Sequence, residues 1–259
     1  MRMRGEKTAV YRNDLGQEIV MDNHVIFLET IDMTGVSGVH SSETLAGADG
    51  QVTVDHHLGP RTIPCSLALY DRYGDGYWRE KLGNIFSPLL SGTLTVYTKK
   101  NKYVIEVRPQ NNPTFKRESR KVWKFSVDFV ADDPYWKTGK EKSVFLPNAQ
   151  DVTIVNPCPY EIAPTIFLPA TEINGHLNIN GHTGFYLNHH DFNIKVDTSR
   201  FRVTNAETGE NCNQYIDATY DLSVIRLRHG ENIVSFEYHG APPGEPPGLR
   251  YTLLSQGEV

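Results

Sequence analysis

The residues best suited to chemistry in this chain are its histidines and aspartates. His56-His57 and His189-His190-Asp191 are the most metal-like groupings. Neighbours on a strand point to opposite faces, so adjacent imidazoles seldom hold one ion. His176, His182 and His189 converge only if loops fold them together. None of these spacings matches a zinc site, so they read as surface or loop histidines. Asp71, Asp75, Asp132 and Asp133 supply carboxylates, but they sit in polar turns that contain such residues anyway. A glycosidase pair held roughly 5–9 Å apart is not specified by such turns. Tyr77-Trp78 and Tyr135-Trp136 suit a sugar-stacking platform and equally suit anchors at a domain boundary. Gly35-Val36-Ser37-Gly38 lacks the lysine of a phosphate-cradling loop. No GxSxG, HExxH or dinucleotide fingerprint occurs. The expectation is no enzyme, with no catalytic, cofactor-binding or metal-binding residues and no cofactor. Cys65, Cys158 and Cys212 are too far apart for a metal motif and odd in number, so they read as buried free thiols.

The elements that would position these groups are strands. Hydrophobic residues are 39% of the 259, and 21 Gly with 15 Pro provide frequent turns, which fits a turn-rich globular chain. Ile19–Leu28 reads as two short apolar runs broken by a turn at Asp22-Asn23. In Ile63–Tyr70 the alternation puts Ile63, Cys65, Leu67 and Leu69 on one face. Gly92–Tyr97 and Tyr103–Val107, five residues apart, read as a hairpin. Val122–Phe129 alternates too, with Trp123 expected to face away from Phe125, Val127 and Phe129. Between these, Trp78, Leu82 and Ile85 at i, i+4 and i+7 predict a short helix over Tyr77–Ile85, weakened by Gly83.

Asp132-Asp133-Pro134 then breaks the pattern, because proline has no amide to give a central strand. A second series of short strands follows: Val152–Val155, Ala163–Leu168, His176–Asn180, Gly184–Leu187, Phe192–Asp197, Val224–Arg228, Ile233–Tyr238 and Leu249–Leu254. The proline-rich stretch Ala241–Gly248 reads as an exposed loop. Short strands at this spacing predict a β-sandwich. Charge changes at the same point: residues 1–140 hold 19 Lys/Arg against 17 Asp/Glu, and residues 141–259 hold 7 against 14. The second unit is thus unsuited to nucleic acid, whose phosphates need clustered Lys and Arg. No apolar run reaches the roughly 20 residues of a membrane span, and the N-terminus has no apolar secretion core, so synthesis and folding in a cytoplasm are expected.

Several motifs in order resemble the distal tail protein family of siphovirus-type, long-tailed bacteriophages. They are Val25-Ile26-Phe27-Leu28, Ile31-Asp32-Met33-Thr34-Gly35-Val36, Ala48-Asp49-Gly50, Leu58-Gly59-Pro60-Arg61-Thr62-Ile63, Asn84-Ile85-Phe86, and Phe125 through Asp132-Asp133-Pro134-Tyr135-Trp136. In the second unit, Leu227-Arg228-His229-Gly230-Glu231-Asn232-Ile233-Val234-Ser235-Phe236 resembles the ending of many sandwich domains. The resemblance implies a mainly β chain with two domains. Residues 1–137 would be a barrel-like ring-forming β domain with one short helix, and residues 143–259 a galectin-like or carbohydrate-module-like β-sandwich. It also implies a homo-hexameric ring, single or stacked, joining the tail tube protein to the tail-tip protein and receptor-binding apparatus. The location implied is the virion tail tip, after assembly in the host bacterial cytoplasm, with no nucleic acid binding and no membrane insertion. The polar stretch Gly38–Gly59, long for a β connection, suits either a reach onto a neighbouring subunit or an ordinary mobile loop. The alternative is a carbohydrate-binding module for a host cell-wall sugar, for which Tyr186, Tyr215, Tyr220 and Tyr238 are the available aromatics, although their alternation equally suits a packed core. A wall hydrolase is a third reading that no acid/base constellation supports.

Overall fold

The computed structural model describes residues 7–21, 25–43, 52–70, 75–168, 175–217, 221–238 and 247–255. The expected turn at Asp22-Asn23, the Ala48-Asp49-Gly50 motif, Asp71, Tyr220 and most of the proline-rich loop lie outside the described residues. The chain forms two compact units, the first running to Thr138 and the second spanning Gly139–Leu254.

The first unit contains β1 (Thr8–Asn13), β2 (Glu18–Met21), β3 (Ile26–Ile31), β4 (Gly38–Glu43), β5 (Val52–Leu58), β6 (Arg61–Tyr70) and helix α1 (Asp75–Ile85). After the helix come β7 (Gly92–Tyr97), β8 (Lys102–Pro109), β9 (Thr114–Arg117), β10 (Val122–Ala131) and the start of β11 (Trp136–Phe145). One antiparallel layer runs β2-β1-β7-β8, and β8 also pairs with the start of β11. A second layer runs β3-β6-β10, with β9 added along β10. The layers meet where Arg108 and Pro109 of β8 pair with Val130 and Phe129 of β10, which gives the barrel-like form. Alternation does the sorting: Ile63, Cys65, Leu67 and Leu69 of β6 are all buried, as their spacing requires. They share one core with Tyr11, Phe86, Phe129 and Trp136. Tyr11 stacks on Phe86 at 5.4 Å and touches Phe129 at 5.0 Å.

Helix α1 forms where the period changed. Leu82 and Ile85 are buried and Trp78 packs against the core from the same face. Nothing lies within 4 Å of a Cβ added at Gly83, so this glycine costs the helix propensity alone. At Gly92 the opposite holds: a Cβ would come within 2.4 Å of the Arg12 carbonyl oxygen, so β7 can lie against β1 only with glycine there.

Two expectations for this unit are corrected. Trp123 does not face away from Phe125, Val127 and Phe129. It is separated from each by an even number of residues, lies on their face and packs half-buried against the core. The break after Asp132-Asp133-Pro134 is also shorter than expected. Tyr135 N–H donates to the Asp133 carboxylate in a local turn, and the ten-residue strand β11 begins at Trp136. Gly139, at φ +73°, takes the left-handed conformation within that strand at the unit boundary.

The second unit is a β-sandwich. Its further strands are β12 (Val152–Asn156), β13 (Thr165–Leu168), β14 (Gly175–Ile179), β15 (His182–Leu187), β16 (Ile194–Asp197), β17 (Arg202–Asn205), β18 (Gly230–Tyr238) and β19 (Gly248–Ser255). One sheet runs β17-β16-β13-β19, with β11 beside β19, and the other runs β12-β18-β14-β15. Ile166, Leu177, Phe185, Val196, Val234 and Leu249 fill the space between them. Val224–Arg228, expected as a strand, is instead the end of a short 3-10 turn and a single bridge from Leu227 to Ile162. The chain there follows Asp221, whose side chain accepts from the Ser223 amide and hydroxyl and closes a turn rather than a ladder.

Candidate assembly surfaces

Three motifs far apart in sequence meet at one atom. Trp136 Nε1–H donates to the Met33 carbonyl oxygen at 3.1 Å, and the Arg61 guanidinium donates to the same oxygen. Both side chains and Met33 are fully buried or nearly so. Beside them Asp32 accepts from the Thr34 amide and hydroxyl, both at 2.8 Å. Those bonds, with smaller help from the Gly35 amide and the Arg61 charge, hold the Asp32 carboxyl below its ordinary range. The segment leading to β4 is thereby pinned to β6 and to the start of β11.

Directly beyond that anchor stands the β4–β5 hairpin, closed at its base by the Gly59 amide donating to Ser37 O at 2.8 Å. Its strands pair only with each other among the described residues. Every residue of Gly38–Glu43 is exposed, although alternate residues point to opposite faces. Neither face of β4 therefore packs on its own unit. A lone two-stranded hairpin is marginal in water, so such an arm suits contact with another molecule.

A second exposed face lies between α1 and the β9–β10 hairpin. Arg79 sits 4.6 Å from the Trp123 ring centroid and 5.9 Å from that of Phe115, and Arg117 covers Trp123 from 5.7 Å. Lys81 lies 5.1 Å from Trp78 and 5.7 Å from exposed Tyr77. Residues 115–124 alone hold five Lys/Arg against one Asp/Glu; without them the first 140 residues would hold 14 against 16. Arginines stacked on aromatic rings are typical of contact surfaces.

Among the described residues, those singled out for chemistry do not come together as a metal site, and no group of three or more His, Cys, Asp or Glu is placed to hold one. His57 is exposed beside Asp55, at 3.3 Å. His190 departs from the surface reading: it is buried, donates from Nδ1 to Asn188 O at 3.0 Å, and packs beside Phe192 and Tyr215. Asp132 forms a two-pronged ion pair with Arg108, at 2.6 and 3.0 Å. Trp136 is buried, so Tyr135-Trp136 is no sugar platform. The three cysteines are buried free thiols, and burial, with Asp128 nearby, pushes the Cys65 pKa up. Tyr215 is half-buried and packs against the core, at 5.2 Å from Phe192, whereas Tyr186 is exposed.

The sequence motif Leu227–Phe236 contains Asn232 but gives no sign of its role. Wholly buried, its amide donates to the carbonyls of Arg228 (2.8 Å), Gly230 (3.2 Å) and Ile154 (3.4 Å). Its oxygen accepts from the Arg228 amide at 2.8 Å and from Asn180 Nδ2 at 3.0 Å. Asn180 and Gly181, at φ +51° and +79°, make the β14–β15 turn. The Asn-Gly pair between two alternating runs was the signal for it.

The chain is mainly β and forms two compact units, and among the described residues no metal-holding group assembles. Residues 22–131 match the phage tail protein RIFT-related domain family, and the resemblance to siphovirus distal tail proteins holds. The chain is similar in fold to the Dit (gp 19.1) protein of phage SPP1, described as a paradigm of the hub adsorption apparatus in phages infecting Gram-positive bacteria. That likeness has TM-score 0.70 at 14% identity and covers 95% of this chain and 99% of that one. Chains of the phage P2 baseplate in its activated conformation are similar as well. The calcium form gives TM-score 0.57 at 11% identity over 97% and 99% of the two chains. The strontium form gives 0.55 at 12% over 98% and 100%. No curated protein sequence matches the chain.

Proposed function

We propose that this chain is a structural hub of a siphovirus tail, six copies of which form a ring joining the tail tube to the tail-tip and receptor-binding apparatus. The carrying observation is the end-to-end likeness to the SPP1 Dit protein, which covers 95% of this chain and 99% of that one at TM-score 0.70. In this reading the protein is located in the virion after assembly in the host cytoplasm, and it is not an enzyme. A ring requires that one surface of each subunit fit a different surface of the next. The β4–β5 arm is the first such surface and rests on the neighbouring copy, where the exposed strand β4 gains cover. Light scattering of the purified chain, alone and mixed with its tube protein, together with electron micrographs, tests the proposal. The expected particle is a ring of about six times 29.3 kDa. Replacing residues 38–58 with a short Gly-Ser linker should abolish the ring while the second unit stays folded. A monomer under both conditions, with no ring in the micrographs, would overturn the reading.

A further inference from the structure

The outer face of the β12-β18-β14-β15 sheet carries side chains that a ring does not require. On β14, Gly175, Leu177 and Ile179 point into the core, leaving His176 and Asn178 on the outside. The strand register sets His176 between Tyr186 of β15 and Glu237 of β18. One step along, it sets Asn178 between Thr183 and Ser235. The Tyr186 ring is 43% exposed and lies 5.3 Å from the imidazole, tilted by 32°. The other edge of that imidazole, Nε2, is 3.5 Å from the Glu237 carboxylate.

The backbone beneath is shaped for this row. A register shift between Leu177 and Asn178 leaves Gly184 as the extra residue of β15 and returns Thr183 to the outer face beside Asn178. Such bulges re-aim side chains at functional sites. A Cβ at Gly184 would come within 3.1 Å of Ile225, and one at Gly175 within 2.8 Å of the Glu237 carbonyl oxygen. The Asn180–Asn232 bond ties the turn of β14 and β15 to β18. The array therefore stands on three strands whose register is fixed.

We propose that this face is a binding site for a neutral saccharide. A pyranose has an apolar C–H face, which an exposed tyrosine ring can cover, and a rim of hydroxyls that both donate and accept. Glu237 accepts, His176 and Asn178 do either, and the Thr183 and Ser235 hydroxyls adapt to what remains. A protein partner would need a more apolar centre than this row provides. An anionic polymer is disfavoured because residues 141–259 carry 7 Lys/Arg against 14 Asp/Glu. The site stands apart from the ring: a monomer that binds sugar upholds it, and a ring that binds none refutes it.

The test is a titration of the purified full chain with the methyl glycosides of glucose, galactose and N-acetylglucosamine, read by saturation-transfer and amide-shift NMR. Dextran sulfate serves as the anionic probe. At least one glycoside should bind saturably and shift amides of β14, β15 and β18. Tyr186→Ala and Asn178→Ala should each weaken binding about tenfold, whereas Tyr186→Phe should stay within about threefold. Ile233→Ala, at an exposed position on the same sheet outside the row, should change nothing, and thermal melts of all four variants should match the parent. No saturable glycoside, shifts confined to other strands, or binding unaltered by Tyr186→Ala would each overturn the proposal. So would dextran sulfate binding more tightly than any glycoside through the same amides.

Discussion

Removing both donors from the Met33 carbonyl should cost more than the two single losses combined. Arg61→Met keeps most of the side chain's length while deleting the guanidinium, and Trp136→Phe keeps an aromatic ring while deleting the indole N–H. Either change alone leaves the carbonyl with one partner, since Arg61 and Trp136 both donate to it. Trp136→Phe then loses one neutral hydrogen bond and some packing, about 1–2 kcal/mol. Arg61→Met loses a charge-assisted bond but also relieves the burial of a cation, so its net cost should be of similar size, about 1–2 kcal/mol. In the double variant the buried carbonyl has neither partner and suffers an added desolvation penalty of about 1–3 kcal/mol. Urea denaturation followed by tryptophan fluorescence reads this directly. The chain's three tryptophans, Trp78, Trp123 and Trp136, all lie in the first unit, and two of them survive in every variant. A double-variant cost equal to the sum of the singles within about 0.5 kcal/mol would show that the shared acceptor does not couple the two motifs.

Three further outcomes follow from single positions. Burial, with Asp14 adding a smaller effect, pushes the Tyr11 hydroxyl up to about 12. Because its folded pKa lies above its unfolded one, the Tyr11 contribution to stability should be full below about pH 10 and be lost from there through pH 12, with Tyr11→Phe flattening that fall in urea midpoints. Gly92→Ala should destabilise the first unit by about 1–3 kcal/mol, measured in the same urea experiment, because its Cβ meets backbone at Arg12 and Asn13 rather than a yielding side chain. Asn232→Ala strips several buried backbone groups of their partner and should cost about 3 kcal/mol, read as amide exchange roughly a hundredfold faster along β14 and β18.

Elements with one clean period were legible in the sequence. Ile63–Tyr70, Gly92–Tyr97 and Tyr103–Val107 are strands with the faces their alternation prescribes, and Trp78, Leu82 and Ile85 mark the helix. Strand β4 was not seen as a strand because Gly-Val-His-Ser-Ser-Glu has no buried face, and hydrophobic alternation records only burial. Strand β11 was hidden by the proline before it and by Gly139 within it. Trp123 obeys the alternation of β10, sharing the parity and face of Phe125, Val127 and Phe129. The convergence of Met33, Arg61 and Trp136 had no local signal at all. The residues are separated by 28 and 103 positions, and only the pairing of β6 with β3 and β10 places them near one another. Likewise Tyr186 was noted as an available aromatic, but its row with His176 and Glu237 depends on the β14–β15–β18 register and on the bulge at Gly184.

Each unit places a buried polar node at the root of an exposed feature. In the first, the Met33 carbonyl with Arg61 and Trp136 underlies the β4–β5 arm. In the second, Asn232 underlies the turn that sets the outer row of β14 and β15. Polar groups in a core cost desolvation and stabilise little more than apolar ones, but they tolerate a single register where an apolar contact tolerates several. That property suits a protein whose work is to offer surfaces in fixed positions to other molecules. The two kinds of position should then separate in experiment. Changes at Arg61, Trp136 or Asn232 should lower stability and binding together. Changes in Gly38–Glu43 or at Tyr186 should shift the melts little and remove a partner, since those side chains are exposed. If surface variants instead unfolded the chain, the arm and the row would be parts of the scaffold, and the surfaces that meet other molecules would lie elsewhere.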